Sequence, residues 1–241
     1  MPSSDSACDG ALGFSWDSSR LQFPAPAREP KKPLFMLRRL MAEYVWDVVH
    51  LEGNAFTFVD VQTLLGGTTV GCHRQADAQQ VLNQQRALDL IARLVADPSI
   101  HLGKDLALKI HAKVAFEEAL RWGCFRTGDV RISGTSYVPP PAAELEDRYQ
   151  RGLNAIERIE NPFERALVYF FWGALSQFFF DGNKRTSRAV MNFILLRNGY
   201  YYLTVPGERK DAFDTMMVDF YETRQATTGM KFMLECQRSW D

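Results

Sequence analysis

The residues best suited to chemistry lie in one run, Gln177-Phe178-Phe179-Phe180-Asp181-Gly182-Asn183-Lys184-Arg185-Thr186-Ser187-Arg188. An apolar segment ends abruptly, and an acid, a glycine, an amide and three cations follow. The segment before the break reads as a buried helix and the one from about Ser187 as another. The turn between them therefore stands at a helix N-terminus, where unpartnered N–H groups and the helix dipole favour an anion. Gly182 can adopt a positive φ and let a ligand approach the backbone closely. Arg185 and Arg188, three apart on a helix, can face the same point. The chemistry this predicts is a phosphate cradle, with the Asp181 carboxylate suited to hold Mg2+ between phosphates.

Several helices must position that run. Leu37, Leu40, Met41, Tyr44, Val45 and Val48 form an apolar stripe that predicts a helix over about 34–51, ending at Gly53 as a left-handed C′ residue. Glu52 falls at the negative end of its dipole, where the bland expectation is a solvated side chain. Further helices are predicted at about 79–95, 103–121 and 142–159. His111 lies within the apolar pattern of the second of these and reads as a packed histidine rather than a catalyst. Asn161-Pro162-Phe163-Glu164 predicts a cap, with Pro162 at N1 and a capping box to Glu164. The helix it opens is apolar nearly all round, as expected at the centre of a bundle. A helix pair at about 207–221 and 227–238 closes the chain. Between the 103–121 and 142–159 helices, Val130, Arg131, Ile132, Ser133, Gly134, Tyr137 and Val138 predict a small β-hairpin, stopped by Pro139-Pro140-Pro141.

The fold class is thus all-α, mainly a helical bundle, with a small β-hairpin flap. Residues 1–32, rich in Ser, Pro, Asp and Ala, read as a loose N-terminal arm, partly tied to the body, and 33–241 as one domain. A net charge of −1 argues against a broad nucleic-acid or anionic-membrane surface. No apolar run approaches the ~18 residues of a membrane span. The N-terminus lacks a basic and then apolar signal, so the expected location is cytoplasmic. Cys8, Cys72, Cys124 and Cys236 are scattered, and the four histidines are not clustered as a metal site requires.

The 177–188 run resembles the signature of the Fic (Fido) family, His-x-Phe-x-(Asp/Glu)-Gly-Asn-(Gly/Lys)-Arg-x-x-Arg. Phe179, Asp181, Gly182, Asn183, Lys184, Arg185 and Arg188 fall on it, while Gln177 stands where the family has histidine and Phe178 where it usually has proline. Leu51-Glu52-Gly53-Asn54 is similar to the end of the family's inhibitory helix, (Ser/Thr)-x-x-x-Glu-(Gly/Asn), with Val48 in the Ser/Thr place. Gly123 to Arg126 and the expected hairpin follow the family's order, so the resemblance covers roughly 35–238.

The resemblance implies that ATP and Mg2+ bind. Asp181 would hold the metal, and Gly182 and Asn183 would cradle the phosphates. Arg185 and Arg188 would hold the β- and γ-phosphates, and Glu52 would reach Arg188 and inhibit. The flap at 130–134 would take a target protein's segment by strand addition and align a Ser, Thr or Tyr hydroxyl. Family members often form homodimers, although no dimer face is legible here. Lys184 stands where most AMP-transferring members have glycine, and lysine also occurs in the phosphorylating Doc branch. Glutamine cannot take up a proton near neutral pH, so loss of the base typically costs on the order of 10²- to 10⁴-fold. Three readings stay open: an AMP transferase with a degenerate active site, a nucleotide-binding regulator without transfer, and a Doc-like phosphotransferase.

Overall fold

The computed structural model describes residues 10–238, so Cys8 and the first nine residues of the expected arm lie outside it. The helices are α1 (Lys32–Arg39), α2 (Met41–Leu51), α3 (Phe58–Leu65), α4 (Gln75–Ala96), α5 (Lys104–Val114), α6 (Leu145–Glu157), α7 (Pro162–Ser176), α8 (Asn183–Arg197), α9 (Lys210–Thr223) and α10 (Thr227–Glu235). Among the described residues, no helix is long and apolar enough to cross a membrane.

The all-helical bundle is built on α7 and α8. Helix α7 begins where its cap predicts: Asn161 Oδ1 accepts from the N–H groups of Phe163 and Glu164, and Pro162 opens the helix. The expected reciprocal bond from Glu164 is replaced, because its carboxylate accepts from Trp16 Nε1 at 2.7 Å. Residues Phe170, Phe171, Trp172 and Leu175 are fully buried, each stabilising the core by roughly 1.5–3 kcal/mol. A Cβ on Gly173 would sit 2.2 Å from Ser187 Oγ, so glycine is what lets α8 lie against α7. This contact places the start of α8 against the end of α7.

The expected helix over 34–51 is two helices, broken at Leu40. Helix α2 is fastened on both sides. Asn192 Nδ2 on α8 donates to Tyr44 Oη at 2.9 Å, and Asp47 Oδ1 accepts from Gly207 N at 3.0 Å. Gly53, at φ 82°, terminates α2 as the sequence predicts. The helix expected at 103–121 stops at Val114, and the chain turns through Glu117 at φ 59°. Helix α3 has a Thr57–Asp60 capping box that the sequence reading did not pick out.

The expected β-hairpin flap is not formed. Residues 129–141 contain no strand, and Ser15 opposite Gln225 is the isolated β-bridge among the described residues. The arms on either side of the Ser133-Gly134 turn find partners elsewhere. Glu222 at the end of α9 accepts from Thr135 Oγ1 (2.6 Å), Ser136 N (2.6 Å) and Ser136 Oγ (2.8 Å). Arg126 donates to the carbonyls of Gly128 and Pro140. Prolines 139–141 have no N–H for a ladder. The segment is a side-chain-pinned loop rather than a ribbon.

Residues 10–31 run along the body. Leu12, Phe14 and Trp16 are buried, Ser15 N donates to Arg224 O, and Arg148 Nη2 donates to Leu12 O.

Candidate functional site

Between α7 and α8 the chain makes a tight loop whose two corners are left-handed. Gln177 has φ 47° and ψ 58°, and Gly182 has φ 73° and ψ 14°. A side chain at Gly182 would be strained at that φ and would also meet Ala115 Cβ at 3.2 Å. Asn183 staples the loop. Its Oδ1 accepts from Phe179 N at 2.9 Å, and its Nδ2 donates to Phe179 O (2.8 Å) and Gln177 Oε1 (3.0 Å). The Gln177 Nε2 donates to Ala174 O at 2.7 Å, which satisfies a carbonyl in the last turn of α7. Buried Arg126 clamps the loop from outside, with Nε donating to Gln177 O at 2.6 Å and its backbone N to Phe178 O at 2.9 Å.

His111 supports the loop from below. Its ring stacks on Phe179 at 3.7 Å and 9°. Nδ1 accepts from Gly123 N at 3.0 Å, so Nε2 carries the proton and donates to Asp181 O at 3.1 Å. Burial holds its pKa down at about 4, so the ring is neutral. The sequence expectation of a packed histidine holds, but the ring also fixes the loop, which spacing alone could not indicate.

Two of the run's cations meet at Glu52, while Arg185 turns to other carboxylates. Lys184 Nζ lies 3.8 Å from Glu52 Oε2 and Arg188 Nη2 lies 3.5 Å from Glu52 Oε1. Arg188 is fully buried, and none of its three guanidinium nitrogens has a hydrogen-bond partner. Its charge rests instead against the Phe213 ring, 5.3 Å from the centroid, and on the Glu52 carboxylate. Burial works against the charge of Glu52, yet Lys184, Arg185, Arg188 and Lys210 together outweigh it and hold its pKa below the ordinary value. Arg185 Nη1 is bound at 2.6 Å by Glu118, a carboxylate the sequence reading missed, and Nη2 lies 3.5 Å from Asp181. The Asp181 side chain is 59% exposed.

Above these groups is a cavity of ≈ 680 Å³. Gln177, Asp181, Gly182, Asn183, Lys184 and Arg185 line one side, with Glu52 at its edge. Arg131, Ile132, Ser133 and Gly134 of the loop face them, and Met217, Val218 and Tyr221 of α9 form an apolar end. Val130 faces a neighbouring cavity of ≈ 720 Å³, bounded by 129–132 and 135–141. Arg188 lies behind Glu52 and does not line the first cavity.

The donor set fits a polyphosphate. Asn183, Lys184 and Arg185, in the first turn of α8, line the cavity, and Arg188 holds unsatisfied donors beside Glu52. Among the described residues, no group of three His, Cys, Asp or Glu side chains could hold a metal alone. Asp181 alone suits Mg2+, which is commonly bound through one or two carboxylates together with substrate phosphates.

Residues 101–195, from the strand-free segment before α5 through α8, match the model of the Fic/DOC family. Over this stretch the chain is similar to Fic/DOC-family domains. The chain is 28% identical over 178 residues to the protein adenylyltransferase Fic of Drosophila ananassae, covering 71% of this chain and 35% of that protein. The corresponding protein of Drosophila melanogaster is 27% identical over 178 residues, again with 71% and 35% covered. The chain thus spans about a third of the length of the curated relatives it matches. Among solved structures, Fic-1 from C. elegans superposes with a TM-score of 0.72 at 18% identity, over 97% of this chain and 68% of that one. A Fic domain containing signaling protein from Bacteroides thetaiotaomicron gives 0.65 at 21% identity, over 89% and 80%. A variant of the IbpA Fic2 domain, solved in complex with adenylylated Cdc42, gives 0.53 at 13%, over 97% and 74%. These structural likenesses show that the Fic fold extends over the helices flanking the matched stretch.

Proposed function

We propose that this Fic protein binds ATP with Mg2+ in the ≈ 680 Å³ cavity and is an adenylyltransferase-type protein with a degenerate active site, restrained by Glu52. The observation that carries the reading is Arg188: a fully buried guanidinium with no hydrogen-bond partner, facing a carboxylate at 3.5 Å. Burying a cation with so few partners is costly, and the γ-phosphate of a nucleotide is the further partner the Fic resemblance supplies. The names of the curated relatives support AMP transfer as the chemistry.

In this reading the phosphates lie over Asn183, Lys184 and Arg185, and the base reaches the apolar end at Met217, Val218 and Tyr221. Mg2+, held by Asp181, would offset phosphate charge. A target protein lies against the 130–134 loop and presents a Ser, Thr or Tyr hydroxyl. The hydroxyl oxygen attacks the α-phosphorus, an O–P bond forms, the bond to the β-phosphate oxygen breaks, and diphosphate leaves. The hydroxyl proton has no histidine to receive it. Gln177 Oε1 can accept a hydrogen bond from the hydroxyl but cannot take its proton, which passes to solvent.

One observation favours the second reading, a nucleotide-binding regulator without transfer. Both ends of the Gln177 amide are already used, Nε2 by Ala174 O and Oε1 by Asn183 Nδ2. Lys184 keeps the Doc-like phosphotransferase as a third outcome. Calorimetry with ATP and Mg2+ on the native chain and on Glu52→Gly tests the shared premise, and absence of binding in both overturns it. Label transferred to protein from α-labelled ATP alone supports adenylylation, and from γ-labelled ATP alone phosphorylation. No label, restored by Gln177→His, supports the regulator.

A further inference from the structure

Besides Asp181 of the loop, two carboxylates from other elements pair with the two signature arginines, Glu52 with Arg188 and Glu118 with Arg185. Glu52 lines the cavity and stands in front of Arg188. Glu118 does not line the cavity and grips Arg185 from behind, on the side of the Val114 carbonyl, which also lies 3.5 Å from Nη1. Glu118 therefore occupies no space a ligand would use. It is itself immobilised: Oε1 accepts from Asn83 Nδ2 at 2.7 Å, and Oε2 from Gln80 Nε2 at 3.0 Å and Arg185 Nη1 at 2.6 Å. Gln80 Oε1 in turn accepts from Asn54 Nδ2 at 2.9 Å, and Asn54 is two residues past Glu52. The bonds run in one direction, Asn54 to Gln80 to Glu118, and Glu118 takes Arg185 from the other side.

We propose that Glu118 is a positioning residue for Arg185. Anchored through Gln80 to the Asn54 turn, it holds the guanidinium so that Nη2 faces the cavity while Nη1 faces the core. The inference rests on the nucleotide-binding reading only for what Arg185 then contacts. Its structural content, a locked guanidinium, stands apart from it. A planar guanidinium held at one edge by a fixed carboxylate presents its other edge in one orientation. Without Glu118 the side chain has the Asp181 carboxylate as its remaining ion-pair partner, and it turns toward the cavity mouth.

The test uses two readouts on Glu52→Gly protein carrying Glu118→Ala or the isosteric Glu118→Gln. Arginine side-chain NMR without nucleotide reads the lock directly. Arg185 should show slow guanidinium rotation in the parent and in Glu118→Gln, and fast rotation in Glu118→Ala. Unchanged Arg185 signals in Glu118→Ala overturn the proposal whatever the protein binds. Calorimetry then compares ATP–Mg2+ with AMP. Glu118→Ala should lose roughly tenfold of the preference for ATP, as expected for one charge-assisted hydrogen bond, with Glu118→Gln, which keeps one acceptor but not the charge, losing less, and AMP affinity unmoved. Equal loss for ATP and AMP would show a general structural role and overturn the positioning of Arg185 toward phosphate. If the parent binds neither nucleotide, the proposed function falls while the NMR result still decides the role of Glu118. Gln80→Ala, which leaves the Glu118–Arg185 pair intact, should give a smaller change in the same direction and keeps the test open if Glu118→Ala fails to fold.

Discussion

Asn183 Nδ2 donates to Gln177 Oε1 across 3.0 Å, joining the residue at the start of α8 to the residue that closes α7. With the Gln177 Nε2 bond to Ala174 O, the amide acts as a strut of the loop. On the proposed Fic reading, Gln177 thus braces the loop without supplying a base.

Glu52→Gly should change the response to nucleotide more than the fold. Removing the carboxylate leaves Arg188 buried without its partner, which should lower stability by roughly 3 kcal/mol. ATP–Mg2+ at about 100 times its Kd should then return about 2.7 kcal/mol. Thermal unfolding of the native chain and the variant, with and without ATP–Mg2+, should show a lower Tm for the variant alone and a ligand shift at least several-fold larger in it. Equal ligand shifts would remove Glu52 as a brake.

Gln177→His in the Glu52→Gly background should raise transfer from α-labelled ATP by on the order of 10²- to 10⁴-fold. Histidine tolerates the left-handed corner that this position requires. Label counted on protein after gel separation reads the result, and no gain with nucleotide binding intact would place the defect elsewhere than the base.

The pH dependence of stability contains two opposed contributions. Burial raises the pKa of Asp47 to about 7. Between ~3.9 and that value the folded chain holds a proton the unfolded chain has lost, so this contribution is full below ~3.9 and is lost as pH rises through about 7. Burial lowers the pKa of His111 to about 4. Between about 4 and ~6.5 the unfolded chain binds a proton the folded chain does not, so this contribution is present above ~6.5 and is lost as pH falls through about 4. Each changes by about 1.4 kcal/mol per pH unit, and they nearly cancel between pH ~4 and ~6.5. Asp47→Asn, which can still accept from Gly207 N, should unmask the rise from pH 4 to 6.5 in urea titrations. A profile parallel to the native one would contradict the assignment.

Glu222→Ala should release the loop at 129–138 without unfolding the bundle, because the carboxylate holds Thr135 and Ser136 and lies outside the core. Limited proteolysis should cut within that loop at least several-fold faster, with an unchanged far-UV circular dichroism spectrum. An unchanged cleavage rate would show that the Tyr137 stack on Tyr221 (6.1 Å) and the Arg126 bonds to Gly128 O and Pro140 O hold the loop without Glu222.

The sequence by itself determined the local structure that depends on neighbours along the chain. The Asn161-Pro162 start of α7, the end of α2 at Gly53, the left-handed Gly182 and the order of cations on α8 follow from capping, dipole and periodicity. Residues 177 and 180–185, from the run that carries the resemblance, line the cavity. Tertiary structure alone decided which groups meet. Glu118 reaches Arg185 from 67 residues away and His111 reaches Asp181 O from 70, distances at which no pattern along a chain registers. The loop at 129–141 shows the same limit in reverse. Its alternation is that of a hairpin, but hydrogen bonds go to whatever acceptors the fold brings near, and here Glu222 replaces the opposite strand.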